Sequence, residues 1–342
     1  MKMDQKPTAT LLELAAKSLL SNEPAAIHAL NEIPRDLFVP LFNAAFLGGH
    51  KQMLKAMSCI YSQRSILKIE EAQHNVRDLQ IEKISAHKSI LQFLDLGCIE
   101  HLDIDQAYLS EVTTLLARVI NVSGLSLSNI PFKSYKGRNF RSFLIWLGQL
   151  DNLQEFSLSF FSLKDQLHRL LRVLPSQMDM LSLSYCDLSS RDVTVLSQSC
   201  QATYLRALNL SSNQIFSEAD EPFQTLLEKV SGTLEHLEIT NCMITDSTLS
   251  NVLPALSLCS NLRILSFAFN PITMPALKSL LQHLTHLMKL KYVIYPIPVH
   301  CYEEWNFRDT LDQQKLAKVQ AQLNAMLQEV KRDDVNWTTF PE

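Results

Sequence analysis

"LRALNLSSNQI", residues 205–215, carries the spacing that decides the fold. Leu205, Leu208 and Leu210 follow an apolar-x-x-apolar-x-apolar rule, and the alternation around Leu208 has the period of two that sends successive side chains to opposite faces of a strand. Leu208 and Leu210 are therefore expected in a core, with Asn209 between them on an open face. Asn213, just beyond, brings a side-chain amide able to satisfy backbone groups in the turn that ends the strand.

The same rule recurs in "VRDLQI" (76), "IEHLDI" (99), "VSGLSL" (122), "LQEFSL" (153), "MDMLSL" (178), "LEHLEI" (234), "LRILSF" (262) and "LMKLKY" (287), nine segments in all at spacings of 23 to 31 residues. Repetition at this period resembles the leucine-rich repeat, in the longer, helix-containing form of ribonuclease-inhibitor-like horseshoes. Ser157, Ser182, Glu238 and Ser266 take the place of Asn209 on the open face, which His236 shares. Cys186 and Cys242 occupy the slot of Asn213 and Asn270 and read as small structural thiols.

Between the strands lie stretches of helical period: 189–200, 221–232, 245–259 and 274–287, several opening on Ser, Thr, Asp or Pro. A strand with one return helix cannot bury its own apolar face, so neighbouring repeats must stack and share a core. The expected fold is an α/β solenoid with parallel strands on the concave face and helices on the convex face. Such a stack needs closed ends. Leu316, Val319, Leu323, Met326, Leu327 and Val330 line one side of a helix within 311–330 that suits a C-terminal lid. Residues 8–60, helical in pattern and broken near Pro24 and Pro34, are candidates for the N-terminal one. The expected organisation is a helical region at 1–65, repeats at 66–300 and a C-terminal cap at 301–342.

A chain of 342 residues with a net charge of −4 offers no general basic footprint for nucleic acid, and no stretch long and apolar enough to span a membrane. Its seven cysteines form no C-x-x-C pair and read as reduced thiols in a nucleocytoplasmic protein. With seven glycines and neither G-x-x-x-x-G-K, G-x-G-x-x-G nor G-x-S-x-G, the sequence names no phosphate cradle, nucleophile or cofactor, so an enzyme is not expected. His283 and His286 stand three apart without a further ligand beside them, and no metal is expected. "FKSYKGRNFR" (132–141) interleaves four basic residues with Tyr135 and Phe140, and is read as a solvated insertion in the longest repeat. "LHRLL" (167–171) and "LKSLL" (277–281) match the L-x-x-L-L pattern of helices that dock on nuclear receptors, but the same leucines complete the stripe facing the strands.

The C-terminal stretch "GTLEHLEITNCMITDSTLSNVLPALSLCSNLRILSFAFNPITMPALKSLLQHL", followed by "LKYVIYPIPVHCYEEW", resembles the PRAME and oogenesin family of leucine-rich repeat proteins. So does "LLELAAKSLLSNEPAAIHALNEIPRDLFVPLFNAAFLGGHKQMLKAM" (11–57). The resemblance implies that Thr10, Leu11, Ala15 and Leu19 form a BC box that inserts into elongin C, Ala15 replacing the commoner cysteine. It also implies that Ile33, Pro34 and Leu37 form a cullin box. A substrate receptor of an elongin B/C cullin-RING ubiquitin ligase follows, with an unidentified protein substrate on the concave face and a germ-line or early-embryo setting. The alternative that the family implies is a transcriptional repressor occupying a nuclear receptor, similar to the retinoic acid receptor. Against the family's pattern, a long segment is missing between "HKQMLKAMSC" and "SILKIEEAQ".

Overall fold

The computed structural model describes residues 11–30, 33, 37, 41, 44–45, 50, 52–53, 56, 78–84, 96–131, 137–302 and 311–339. Its strands are β1 (Asp78–Glu82), β2 (His101–Asp105), β3 (Gly124–Ser128), β4 (Glu155–Ser159), β5 (Met180–Ser184), β6 (Ala207–Asn209), β7 (His236–Glu238), β8 (Ile264–Ser266), β9 (Tyr292–Tyr295) and β10 (Asn336–Thr339). They lie side by side in chain order in one sheet, every adjacent pair parallel. Sheet order that copies chain order, with the chain returning on the same side each time, is a solenoid.

Register follows the leucines. Leu79, Leu102, Leu125, Phe156, Leu181, Leu208, Leu237, Leu265 and Val293 stand opposite one another in a buried column. A slip of one residue would turn this column to solvent, so the apolar alternation fixes the pairing. The ninth strand departs from the expected segment. Val293, not Leu290, opposes Leu265, so "LKYVIY" (290–295) replaces "LMKLKY". Both obey the spacing rule, but the observed frame buries Val293 and Tyr295 and leaves Tyr292 outside, where the earlier frame would bury Tyr292.

Beyond each of β1 to β8 the chain turns through a residue with positive φ: Lys83 (61°), Gln106 (52°), Asn129 (53°), Phe160 (53°), Tyr185 (54°), Ser212 (58°), Asn241 (53°) and Phe269 (56°). None is glycine. A left-handed L-residue costs about 1–2 kcal/mol, and stacking offsets it, because the same amide extends the ladder one step. Gln106 donates to the Ser128 carbonyl (3.1 Å), Tyr185 to Ser211 (3.1 Å) and Ser212 to Thr240 (2.8 Å).

Beyond these turns the expected asparagine slot is filled as anticipated. The buried Asn213 Oδ1 accepts from the Cys186 and Leu188 amides (3.0 Å each), while its Nδ2 donates to the carbonyls of Leu183 (2.7 Å), Leu210 (2.9 Å) and Ser211 (3.1 Å). Asn270 repeats the pattern on Cys242 and Ile244. Where cysteine holds the slot, the acceptor is lost but weaker donations survive, from Cys186 Sγ to the Leu158 (3.2 Å) and Ser184 (3.4 Å) carbonyls and from Cys242 Sγ to those of Leu210 (3.4 Å) and Thr240 (3.5 Å). Burial pushes these thiols up to about 12 and about 11, respectively.

Return helices α3 (Leu109–Leu116), α4 (Arg138–Leu147), α5 (Leu167–Val173), α6 (Ser190–Ser197), α7 (Glu221–Val230), α8 (Asp246–Leu256) and α9 (Met274–Leu284) cover the other side of the core. Two of them start on the anticipated residues: the Asp192 carboxylate accepts from the Ser189 amide (3.0 Å) at α6, and Thr245 Oγ1 accepts from the Thr248 amide (3.3 Å) at α8. Each sends a leucine stripe inward, such as Leu226, Leu227 and Val230 of α7, into one continuous core running from Leu79 to Val335.

At the C-terminal end, α10 (Gln313–Glu329) buries Leu316, Val319, Leu323 and Leu327, with Met326 packed beside them. Val330, expected on the same stripe, is instead exposed, because the helix stops before it and the chain turns at Lys331 (φ 55°). The end of the stack is more than a helix. After α10 the chain adds β10, unanticipated in sequence, whose Trp337 lies on Tyr295 at 6.0 Å between ring centroids. The buried Arg332 donates to the Leu287 (3.2 Å) and Leu290 (3.0 Å) carbonyls and to Asp334 (2.8 Å).

The N-terminal helices are α1 (Leu11–Leu20) and α2 (Glu23–His28). Among the described residues, Ala16, Leu20, Ala26, Leu30, Ile33, Leu41, Ala45 and Met53 form an apolar cluster distinct from the solenoid core, so this region packs as a small module. Glu23 ties it together, accepting from the Met53 amide (2.8 Å), a bond that holds its carboxyl below the usual range.

Candidate functional site

Parallel pairing aligns the outward residues in columns. The middle column reads Gln80, Asp103, Ser126, Ser157, Ser182, Asn209, Glu238 and Ser266, so the anticipated open-face residues do stand in one row. Ser157, Ser182, Asn209, His236 and Glu238 are half-buried. Ser266 is the exception. It is buried, its hydroxyl 3.0 Å from that of Thr240, and offers nothing to a partner. Three of the named residues form one polar unit: Glu238 accepts from Asn209 Nδ2 (2.7 Å) and lies 3.1 Å from His236 Nε2.

Sequence reading missed how the face is graded. Toward β1 it is acidic, with Asp78, Glu82, Asp103, Asp105 and Glu155 projecting from three strands; toward β9 it turns apolar through Met180, Ala207, Ile264 and Tyr292. Gly124 lies where a Cβ would come within 2.4 Å of the His101 ring, so its lack of a side chain lets the imidazole lie across β3. His101 Nδ1 is 2.8 Å from Asp78 Oδ1, beside a cleft of about 270 Å³. Burial pushes the Asp103 carboxyl up against a hydrogen bond from Ser126, and the neighbouring Asp105 charge adds to the rise. Burial acts on Asp105 too, but hydrogen bonds from Ser128, Asn129 and Gln106 outweigh it and hold that carboxyl low. The gradation was legible only once the register was known, since no local window contains two strands.

The rim holds a second unanticipated feature. Phe160 and Tyr185, both at left-handed positions and about half exposed, stack at 4.4 Å with planes 14° apart. Met243 and Phe269 are likewise exposed at positive φ.

In the N-terminal module, Thr10 and Pro34 lie outside the described residues. Leu11 begins α1. Ala15 is exposed and Leu14 is 53% exposed, whereas Ala16 and Leu20 point into the cluster and Leu19 packs at its edge. One side of α1 is thus core and the other offers apolar atoms to solvent. Of the residues expected to form a cullin box, the two described ones face inward: Ile33 is 9% exposed, and Leu37 packs against the same cluster. They hold the module together.

The L-x-x-L-L leucines are all core: Leu167, Leu170 and Leu171 in α5, Leu277, Leu280 and Leu281 in α9. Neither motif can enter a receptor groove without unfolding its repeat. His283 Nδ1 and His286 Nε2 each meet a different backbone carbonyl, those of Ser279 (2.8 Å) and Ser257 (3.1 Å).

A parallel sheet in chain order, an amide ladder, outer helices and an open inner face define a leucine-rich repeat scaffold. Residues 51–341 match the PRAME C-terminal domain, and the chain belongs to the PRAME family. It is 34% identical over 283 residues to leucine-rich repeat-containing protein 14 of Rattus norvegicus, covering 77% of this chain and 57% of that protein. Human PRAME family member 8 is 33% identical over 241 residues, 66% of this chain and 50% of that one. The chain therefore spans a little over half the length of the rat relative. The crystal structure of Rad7 and Elc1 complex in yeast gives a TM-score of 0.43 at 18% identity, covering 87% of this chain and 75% of that one, too loose a likeness to carry inference.

Proposed function

We propose that the protein is a non-enzymatic substrate receptor, working in the cytoplasm and nucleus: the N-terminal module docks on elongin B/C of a cullin-RING ubiquitin ligase, and the solenoid selects the protein to be modified. The observation that carries this reading is the division of α1. Its Ala16 and Leu20 side is buried, and its Leu14 and Ala15 side presents apolar atoms to solvent, as a helix-in-groove ligand does. The inward Ile33 and Leu37 support a narrower role for the cullin box, shaping the module rather than touching the cullin through those two side chains.

Ala15→Asp tests the reading. Aspartate on an exposed helical position costs about 0.7 kcal/mol of stability or less, but in a desolvated pocket it costs at least about 2 kcal/mol, or roughly thirtyfold in affinity. The variant should fold as wild type and lose elongin B/C on co-purification. Unchanged capture would remove the ligase assignment.

A further inference from the structure

Most cations with a nearby acid on the solenoid surface are neutralised: Arg206 and Arg263 share Glu235, Arg191 meets Glu218, and Lys291 meets Asp334. One group is not. Arg138, Arg141, Lys164 and Arg169 line a cavity of about 670 Å³ between the start of α4 and the turn after β4, and among the described residues none of the four is ion-paired. The floor is apolar, made by buried Phe140 and Phe161 with ring centroids 6.0 Å apart. Arg169 is already placed. Its guanidinium lies 5.1 Å over the Phe140 ring and donates from Nη1 to Gln166 Oε1 at 2.7 Å, leaving its other donors for a ligand. Asp165 is the one carboxylate in the lining.

The placement of Arg138 and Arg141 works against the fold. Both sit in the first turn of α4, which has no acidic residue there and no side-chain cap, so like charge meets the positive end of the helix dipole. An anion in the cavity would reverse that repulsion and complete the unsatisfied amides of the first turn. Two of these arginines come from the basic stretch read as a solvated insertion; Lys164 and Arg169, which follow β4, supply the partners that no single segment shows.

We infer that this cavity binds the phosphate of a phosphorylated serine or threonine in a protein ligand. A phosphomonoester carries about 1.5–2 negative charges and three acceptor oxygens, matched to arginine forks. The cavity lies within the range of about 300–1,000 Å³ typical of ligand sites, large enough for the phosphate and part of its chain. An extended polyanion such as nucleic acid fits worse, since the net charge of −4 and the acidic columns repel it once it leaves the cavity. The inference rests on the solenoid being the recognition part; elongin capture through α1 is read separately, so either can fail without the other.

The test is an array of peptides with one central phosphoserine among randomised neighbours, probed with the full chain beside the same array carrying serine. A subset should be retained only when phosphorylated, and the paired substitution Arg141→Gln with Lys164→Gln, both exposed side chains, should weaken retention at least about tenfold while the thermal midpoint stays unchanged. Arg138→Gln gives the same reading should the pair unfold. Equal retention of serine and phosphoserine peptides would overturn the inference, as would phosphate-dependent retention that survives the substitutions. So would a thermal shift with myo-inositol hexakisphosphate or a single-stranded oligonucleotide in the absence of any retained phosphopeptide.

Discussion

Single side chains in this protein repeat one task along the stack. Asn213 serves two amides and three carbonyls from the core, so Asn213→Ala should cost about 3 kcal/mol or more, given that each orphaned buried group costs about 1–3 kcal/mol; chemical denaturation showing a loss below about 1 kcal/mol would contradict that role. The thiols in the same slot are sealed. Burial raises Cys186 to about 12 and Cys242 to about 11, and Cys259, just beyond α8, to about 12, while Cys200 is exposed, so native labelling with iodoacetamide at neutral pH should mark Cys200 and leave Cys186, Cys242 and Cys259 unreacted. Equal labelling would show that the repeats open. Gln106 at φ 52° is a conformational cost, and Gln106→Gly should raise stability by up to about 1 kcal/mol, read as a higher denaturation midpoint.

Elements were legible to the extent that their pattern was local. The apolar rule located eight strands in frame, because a strand buried on one face writes its period directly into its own residues. It misplaced β9, where two overlapping frames obey the rule and only the burial of Tyr295 decides between them. It missed β10, because "NWTT" has no apolar pair and is held by pairing with β9 and by the Tyr295 ring, both some forty residues back in the chain. That cap has its own pH signature. Hydrogen bonds from Lys291 and then Arg332 hold the Asp334 carboxyl down at about 2, against an ordinary value near 3.8. A lowered folded-state value adds stability that is full above pH 4 and lost as the pH falls toward 2. Wild type should therefore be more stable than Asp334→Asn at neutral pH, with the difference closing between about pH 4 and pH 2; a constant gap would deny the ion pairs. For the L-x-x-L-L helices the outcome is structural. Leu170→Ala should cost about 2–5 kcal/mol, so any receptor binding lost with it would track unfolding.

On the scale of the whole molecule, stacking converts a sequence rule into a surface. The buried columns were predictable because every strand obeys the same rule. The acidic-to-apolar gradation of the concave face and the cationic cavity were not, because each is assembled from residues in different repeats that meet only through register. The N-terminal module follows other logic: its apolar residues make a second cluster, and the exposed side of α1 is what remains for a partner. Two surfaces, one at each part of the chain, should then act independently. The direct measurement is quantitative mass spectrometry of proteins co-purifying with wild type, Ala15→Asp and Ser182→Arg, the last a bulky charge in the middle of the concave column. Elongin B/C should vanish only with Ala15→Asp, and a distinct set of proteins only with Ser182→Arg. Loss of both sets with either substitution, or of neither, would contradict the account.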